Sequence, residues 1–177
     1  SSAASDVYKR QVLFFDKKKE SIKFVSPVSG KVKEIVRGEK RKIMNILIEA
    51  DGEQKAKSFN VKNINDYSAE GIKDLLLESG FWCSMKQRPL DIIADPDNSA
   101  KGLFVSSFDS SPLAPDYEYI LNDEMDALQM GFDALSILME GKIHLSSKPN
   151  SIFAKIKGVN HHSFDGCLLY TSDAADD

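Results

Sequence analysis

The sequence predicts a two-part α+β chain, with a compact all-β unit over residues 12–60 and an incomplete α/β unit with a parallel sheet over residues 61–166. Three observations carry this reading. Residues 26–52 hold two strand-like runs joined by turn chemistry, a half-buried hairpin. Beyond about residue 60 the apolar residues change from strand-like to helical spacing. From residue 102 onward strand-like and helix-like segments alternate, the pattern of a parallel sheet with crossover helices.

The ends of the chain bear on how composition is read. Residues 1–11 (SSAASDVYKRQ) can be written as one short DNA element whose reverse complement, read in a shifted frame, encodes CLLYTSDAAD, the residues 167–176. One inverted element explaining both ends reads as sequencing-adapter translation, so residues 1–11 and 167–177 are set aside as tails. The chain of 177 residues carries 23 basic and 27 acidic side chains, and the tails hold two of the former and four of the latter. The remaining net charge of −2 is no electrostatic footprint for nucleic acid. Cys167 falls in a tail and leaves Cys83 alone, which excludes a disulfide framework and a multi-cysteine metal site. No apolar run approaches the ~20 residues of a membrane helix. A reducing, cytoplasmic setting is expected.

Taken in order, Val12-Leu13-Phe14-Phe15 is a short apolar run and reads as a strand. Residues 16–21 form a charged turn, and residues 22–25 a second strand leading into Ser26-Pro27-Val28-Ser29-Gly30. The first hairpin strand sets Val32, Ile35 and Val36 against Lys31, Lys33, Glu34 and Arg37; a basic tip spans residues 37–42, and the second strand covers residues 43–50. Residues 53–59 alternate weakly and leave a last strand open. Ser68 is placed to cap a helix whose face carries Ile72, Leu75, Leu76 and Ser79, with Gly80 as its stop. Residues 81–85 form an aromatic segment, residues 86–89 break regularity, and residues 95–99 read as loop. Residues 102–108 predict a strand and residues 109–112 a turn. Met125, Leu128, Phe132, Leu135 and Leu138 recur at helical spacing, with Asn122 or Asp123 as cap and Gly141 as stop. Residues 142–145 predict a strand and residues 151–157 a short helix.

No constellation of these residues makes a catalytic site, so the sequence assigns no catalytic residue, no metal ligand and no cofactor-binding residue. His161 and His162 lack further ligands at metal spacing and read as surface or turn histidines; His144 reads as a packed or partly exposed strand residue. Cys83 has no neighbouring histidine to activate it and reads as buried. The strand over residues 102–108 runs into Asp109-Ser110-Ser111-Pro112, an acid and a proline where a phosphate cradle wants glycines. Neither GxGxxG nor GxxxxGK[ST] occurs. Arg37, Lys40, Arg41 and Lys42 read as a solvated hairpin tip, with docking to an acidic partner or anionic lipid head groups as the functional alternative. The turn Asp16-Lys17-Lys18-Lys19 ahead of SPVSGKVKEI resembles the swinging-arm hairpin of biotinyl and lipoyl carrier domains, where one turn lysine is acylated. Its flanks depart from that pattern, Lys17 being followed by Lys18 and Lys19 by Glu20, so a shared β scaffold without the arm is favoured.

The segments VLFFDKK (12–18), SPVSGKVKEI (26–35), RGEKRKIMNILIEADG (37–52), ESGFWCSMKQRPLDII (78–93), FDSSPLAPD (108–116) and GFDALSILMEGKIHL (131–145), in this order, resemble the family of the A subunit of the sodium-translocating NADH:quinone oxidoreductase. The basic tip and the run from Trp82 to Arg88-Pro89 are the more specific parts. The resemblance implies a biotinyl/lipoyl-like β barrel-sandwich domain followed by a Rossmann-like α/β domain. It also implies a translocase that oxidises NADH, reduces ubiquinone and exports sodium. In such a complex this would be a peripheral subunit on the cytoplasmic face of a bacterial inner membrane, docked on membrane subunits (the B subunit above all), with quinone access and scaffold as its contribution. Ubiquinone is then a substrate of the complex, and no cofactor is expected on this chain. The family is also similar to the flavin-carrying subunit of complex I and to the C subunit of the electron-transport complex. The former holds FMN through a glycine-rich loop near the helix corresponding to residues 72–80, and both bind iron–sulfur clusters through cysteines. Here Phe81 to Pro89 stand in that place and no cysteine cluster exists, which argues against FMN, NADH or a cluster held by these residues. A flavin and iron–sulfur protein like that C subunit, and an acyl-carrier module, remain the alternatives.

Overall fold

A computed structural model describes residues 6–111 and 113–165. The remaining positions of both tails, Cys167 among them, and Pro112 of the expected turn lie outside the described residues. Two compact units emerge among the described residues, one of residues 6–61 with 73–96, the other of residues 62–72 with 97–111 and 113–165.

In the first unit, β1 (Asp6–Val7), β2 (Val12–Phe15), β3 (Lys23–Val25), β4 (Gly30–Arg37) and β5 (Ile43–Ala50) follow one another. β4 and β5 form the expected antiparallel hairpin, with Gly30 opposite Ala50 and Ile35 opposite Ile46, and β1 completes a sheet of order β1-β4-β5. The register shifts between Val32 and Glu34 and again between Val36 and Arg37. An extra residue on one strand reverses which side chains face inward, and this explains the imperfect alternation of the segment. The tip folds into one turn of 3₁₀ helix over Glu39–Arg41, with Lys40 and Arg41 at positive φ. β2 and β3 pair antiparallel, and the Phe14 and Phe24 rings stack with centroids 4.6 Å apart. The turn before β4 is tied inward: Ser26 and Ser29 are wholly buried, and each hydroxyl donates, to the Val28 carbonyl at 2.6 Å and to Asp51 Oδ1 at 2.7 Å. Burial of a hydroxyl is tolerated because the donor is satisfied.

Residues 6–11 lie within this unit although the DNA-level reading assigns them to a tail. Val7 is buried, Arg10 N donates to Ser26 O, and Ser26 N donates to Gln11 O. Most of these bonds run through backbone groups, which any residue but proline supplies. Residues 53–59 form no strand; they contribute a single bridge, Ala56 against Lys9. A short hairpin of β6 (Lys86–Gln87) and β7 (Ile92–Ile93), with a cis Arg88–Pro89 peptide, occupies the segment read as irregular. The aromatic stretch Phe81–Ser84 is 3₁₀ helix, with Trp82 buried and its indole N–H donating to Ala94 O at 2.7 Å. Gly80 stands in the left-handed conformation (φ +76°) against Val25, the expected stop of α1 (Ala69–Glu78). Ser68 Oγ accepts from Gly71 N, as a cap should.

The second unit is built on a parallel sheet of β8 (Leu103–Ser106), β9 (Ile143–Ser147) and β10 (Asn160–Ser163), in the order β10-β9-β8. α2 (Tyr117–Leu121) and α3 (Met125–Leu138) connect β8 to β9. Neither Asn122 nor Asp123 caps α3, because both lie in a 3₁₀ turn that joins α2 to it without a break. The cap belongs one helix earlier: Asp116 Oδ1 accepts from Glu118 N and Tyr119 N. Phe132, Ile143, Leu145, Phe153 and Ile156 form the core, with Leu103, Val105, Leu128 and Leu135 packed on it. Fully burying side chains such as Ile143 and Leu145 contributes about 1.5–3 kcal/mol each. The third strand escapes sequence reading because Asn160-His161-His162-Ser163 has no apolar residue.

Candidate functional site

Open parallel sheets receive ligands outside the carboxyl ends of their strands, and a cleft of about 300 Å³ lies there in the second unit. Residues 107–109 leave β8 into it, residues 115–118 open α2 beside it, and residues 148–150 leave β9 across from them. Its charged side chains are Asp109, Asp116, Glu118 and Lys148. Asp109 Oδ1 accepts from Ser111 N at 2.8 Å and from Ser111 Oγ at 2.6 Å, and the hydroxyl above all holds its pKa below the usual carboxylate value. The turn therefore offers donors that its own carboxylate already occupies. A phosphate at this turn would compete with Asp109 for the Ser111 N–H.

In the charged turn of the first unit the backbone is tied and the Lys19 ammonium is paired. Asp16 Oδ1 accepts from Lys18 N at 2.7 Å, and Asp16 O accepts from Lys19 N. The Lys19 ammonium lies 3.0 Å from Asp95. A carrier arm requires its lysine to leave the domain surface, and the pairing of Lys19 opposes that movement. Lys17 and Lys18 stay exposed. Cys83 is half-buried rather than fully buried; its Sγ–H donates to Lys23 O at 3.3 Å, and burial pushes the thiol pKa up. A raised thiol pKa opposes nucleophilic or ligand use.

The histidines stand on strands, not in turns. His161 Nε2 meets the Ile156 carbonyl at 2.7 Å. His162 Nε2 lies 2.9 Å from Nδ1 of His144, and the two rings stack, with Phe104 stacked on the other side of His144. Eighteen residues separate this pair in sequence, and only the β9–β10 register brings them together. Among the described residues no group of three or more His, Cys, Asp or Glu could hold a metal ion. The basic tip is solvated throughout: Arg37, Lys40, Arg41 and Lys42 are exposed beside exposed Ile43 and Met44.

A β unit built on an antiparallel hairpin, followed by an α/β unit built on a parallel sheet, defines a two-domain α+β chain. Comparison with known proteins assigns both units. Residues 2–51 match the family described as the NqrA N-terminal barrel-sandwich hybrid domain, and residues 67–169 match the NqrA second alpha/beta domain. The chain belongs to the NqrA family. It is 38% identical to the A subunit of the Na(+)-translocating NADH-quinone reductase of Aliivibrio salmonicida over 163 residues, which is 90% of this chain and 36% of that protein. Against the same subunit of Vibrio alginolyticus it is 37% identical over 91% of this chain and 37% of the relative. The chain thus spans a little over a third of the length of the curated relatives it matches. The expected fold, a barrel-sandwich hybrid domain followed by an α/β domain, is the family's, and among the described residues the β unit forms no closed barrel.

Proposed function

We propose that this chain serves in a peripheral subunit of a membrane-bound complex that couples NADH oxidation and ubiquinone reduction to sodium export. Its part is scaffold and quinone access rather than chemistry. The observation that carries the reading is the succession of both NqrA domains along one chain, at 36–38% identity to subunits that bear that name. Among the described residues no helix is long and apolar enough to cross a membrane, which suits a subunit held by its neighbours. Docking falls to membrane subunits of the same complex, the B subunit foremost, on the cytoplasmic face of a bacterial inner membrane. The exposed basic tip at residues 37–42 is the first contact proposed for that docking. No flavin, cluster or acyl group resides on the chain in this reading, and the chain alone does not oxidise NADH.

The test is a chimera in which this chain replaces the corresponding third of the Aliivibrio salmonicida relative. Assembled in membranes, the chimeric complex is expected to reduce ubiquinone with NADH and to move sodium. An assembled complex that oxidises NADH with an artificial acceptor but is as slow toward ubiquinone as one lacking the NqrA protein would overturn the proposal. Flavin purified on the chain, or a biotinyl or lipoyl mass on Lys17, Lys18 or Lys19, would replace it with the electron-transport or carrier alternative.

A further inference from the structure

The tip of the β4–β5 hairpin is exposed from Arg37 to Asn45, and no residue between Lys31 and Ala50 is buried. Four cations crowd it, Arg37, Lys40, Arg41 and Lys42, against one carboxylate, Glu39. Among the described residues no acid forms an ion pair with any of the four. Like charges held this close repel one another until a countercharge comes from outside. Apolar side chains stand beside them, and on both faces of the hairpin. Residues paired across a ladder share a face, so Ile43 lies with Arg37, whereas Val36 and Leu47, the latter paired with Glu34, lie on the opposite face. Met44 falls where the register shifts, and it packs on Gly38, whose added Cβ would lie 3.1 Å from Met44 Cγ and Sδ. Ile43 is 37% exposed and Met44 57%. The tip also closes on itself. Gly38 N donates to Lys42 O at 2.8 Å, Lys42 N to Glu39 O at 3.2 Å, and Arg37 Nη1 to Arg41 O at 3.2 Å.

We infer that this tip seats in the head-group layer of an anionic lipid bilayer, with Lys40, Arg41 and Lys42 at the lipid phosphates and Ile43 and Met44 at the acyl boundary. Charge selects the surface, because a bilayer rich in anionic lipid supplies the countercharge that the chain itself does not. The distribution of apolar side chains selects lipid over an acidic protein. A flat protein partner covers one face of a hairpin, whereas a head-group layer surrounds an inserted tip and meets Ile43 and Met44 together. The self-bonded backbone lets the tip leave bulk water without orphaning the Gly38 and Lys42 N–H groups. Long lysine and arginine stems then reach the phosphates from beside the apolar residues. The inference rests on the peripheral membrane placement proposed for the chain and deepens it: the first contact at the membrane is with lipid, beside the membrane subunits.

The test uses the full-length Aliivibrio salmonicida relative carrying this chain in place of its own corresponding segment. Sedimentation with vesicles of phosphatidylcholine and phosphatidylglycerol is expected to show binding at least about thirtyfold tighter than to phosphatidylcholine alone, roughly fivefold for each of Lys40, Arg41 and Lys42. The preference should collapse as salt rises from about 0.1 M to about 1 M, and Lys40→Gln, Arg41→Gln and Lys42→Gln together should abolish it. Insertion is read by a fluorophore on Ile43→Cys or Met44→Cys, the other cysteines being replaced by serine. Both positions should be quenched by spin-labelled lipid, and Ala127→Cys, exposed on α3, should not. Equal binding to the two kinds of vesicle, a preference that the triple variant keeps, or a charge-dependent preference without quenching at both sites would overturn the inference. So would indifference to vesicles in a protein whose triple variant fails to join the membrane subunits, which assigns the tip to an acidic protein surface. Each of these results leaves the proposed function standing, since that is decided by ubiquinone reduction in the assembled complex.

Discussion

Replacing Gly30 by alanine should do far more damage than replacing Gly52, and the contrast isolates a steric cost from a conformational one. Both glycines sit at positive φ, +151° and +76°. An alanine forced into such a conformation loses roughly 1–2 kcal/mol. At Gly52 nothing lies within 4 Å of the added Cβ, so that loss is the whole effect. At Gly30 the Cβ would lie 2.0 Å from Glu49 O and 3.0 Å from Ala50 Cα, both backbone. The strand cannot simply retreat, because Gly30 pairs with Ala50 on one side and Val7 on the other. Losing two or three ladder hydrogen bonds at about 1 kcal/mol each brings the total to roughly 3–5 kcal/mol, against 1–2 kcal/mol for Gly52→Ala. Trp82 reports it: it is the chain's single tryptophan, buried, and in the same unit as Gly30. Urea unfolding followed by its fluorescence, with a slope of about 1–3 kcal/mol per molar, should place the Gly30→Ala midpoint roughly 0.7–3 M below that of Gly52→Ala. Coincident midpoints would refute the close approach of β4 to β5 at this corner.

Two further expectations come from groups whose pKa is displaced. Asp51 is held below its usual value, first by the Ser29 hydroxyl and then, against the effect of burial, by the backbone N–H groups of Glu53 and Gln54. A depressed folded pKa gives stability that is present above the unfolded value of about 3.9 and lost as pH falls through the folded one; Ser29→Ala should therefore unfold with a flatter pH dependence below about pH 4, and acid titrations that superimpose would reject the linkage. Burial raises the Cys83 thiol pKa, so alkylation near pH 7.5 should run more slowly at Cys83 in the folded chain than in urea, and equal rates would show the thiol to be open.

What the sequence made legible was whatever depended on local chemistry. Turn residues and β-rich runs marked the hairpin of residues 26–52, and a single helical face marked α3, because both patterns are written in neighbouring residues. The cap of α3 was misplaced for a physical reason: with α2 joined to it through a 3₁₀ turn, the free helix end is at Asp116, nine residues earlier than Met125. β10 was invisible because a polar edge strand has no periodicity to detect. The candidate site divides in the same way. The missing glycines after β8 could be read directly, and the Asp109 contact is an Asx turn to Ser111, two residues on, but the Lys19–Asp95 pair and the His144–His162 contact join residues through folding, and no spacing rule reaches them.

Those three contacts also bear on why a chain of this architecture is read as scaffold. Three polar groups of the candidate sites have a partner from the chain itself: Ser111 for Asp109, Asp95 for Lys19, and His162 for His144. Among the described residues no buried side-chain nitrogen or oxygen is left without a hydrogen-bond partner. The surfaces that stay open are of another kind, a basic hairpin tip flanked by Ile43 and Met44 and a ring-faced sheet surface headed by Phe104. The tip offers charge, the sheet face exposed ring surface. Exposed charge beside apolar side chains recruits macromolecular surfaces rather than small ligands, which is why the tip is the part proposed for docking.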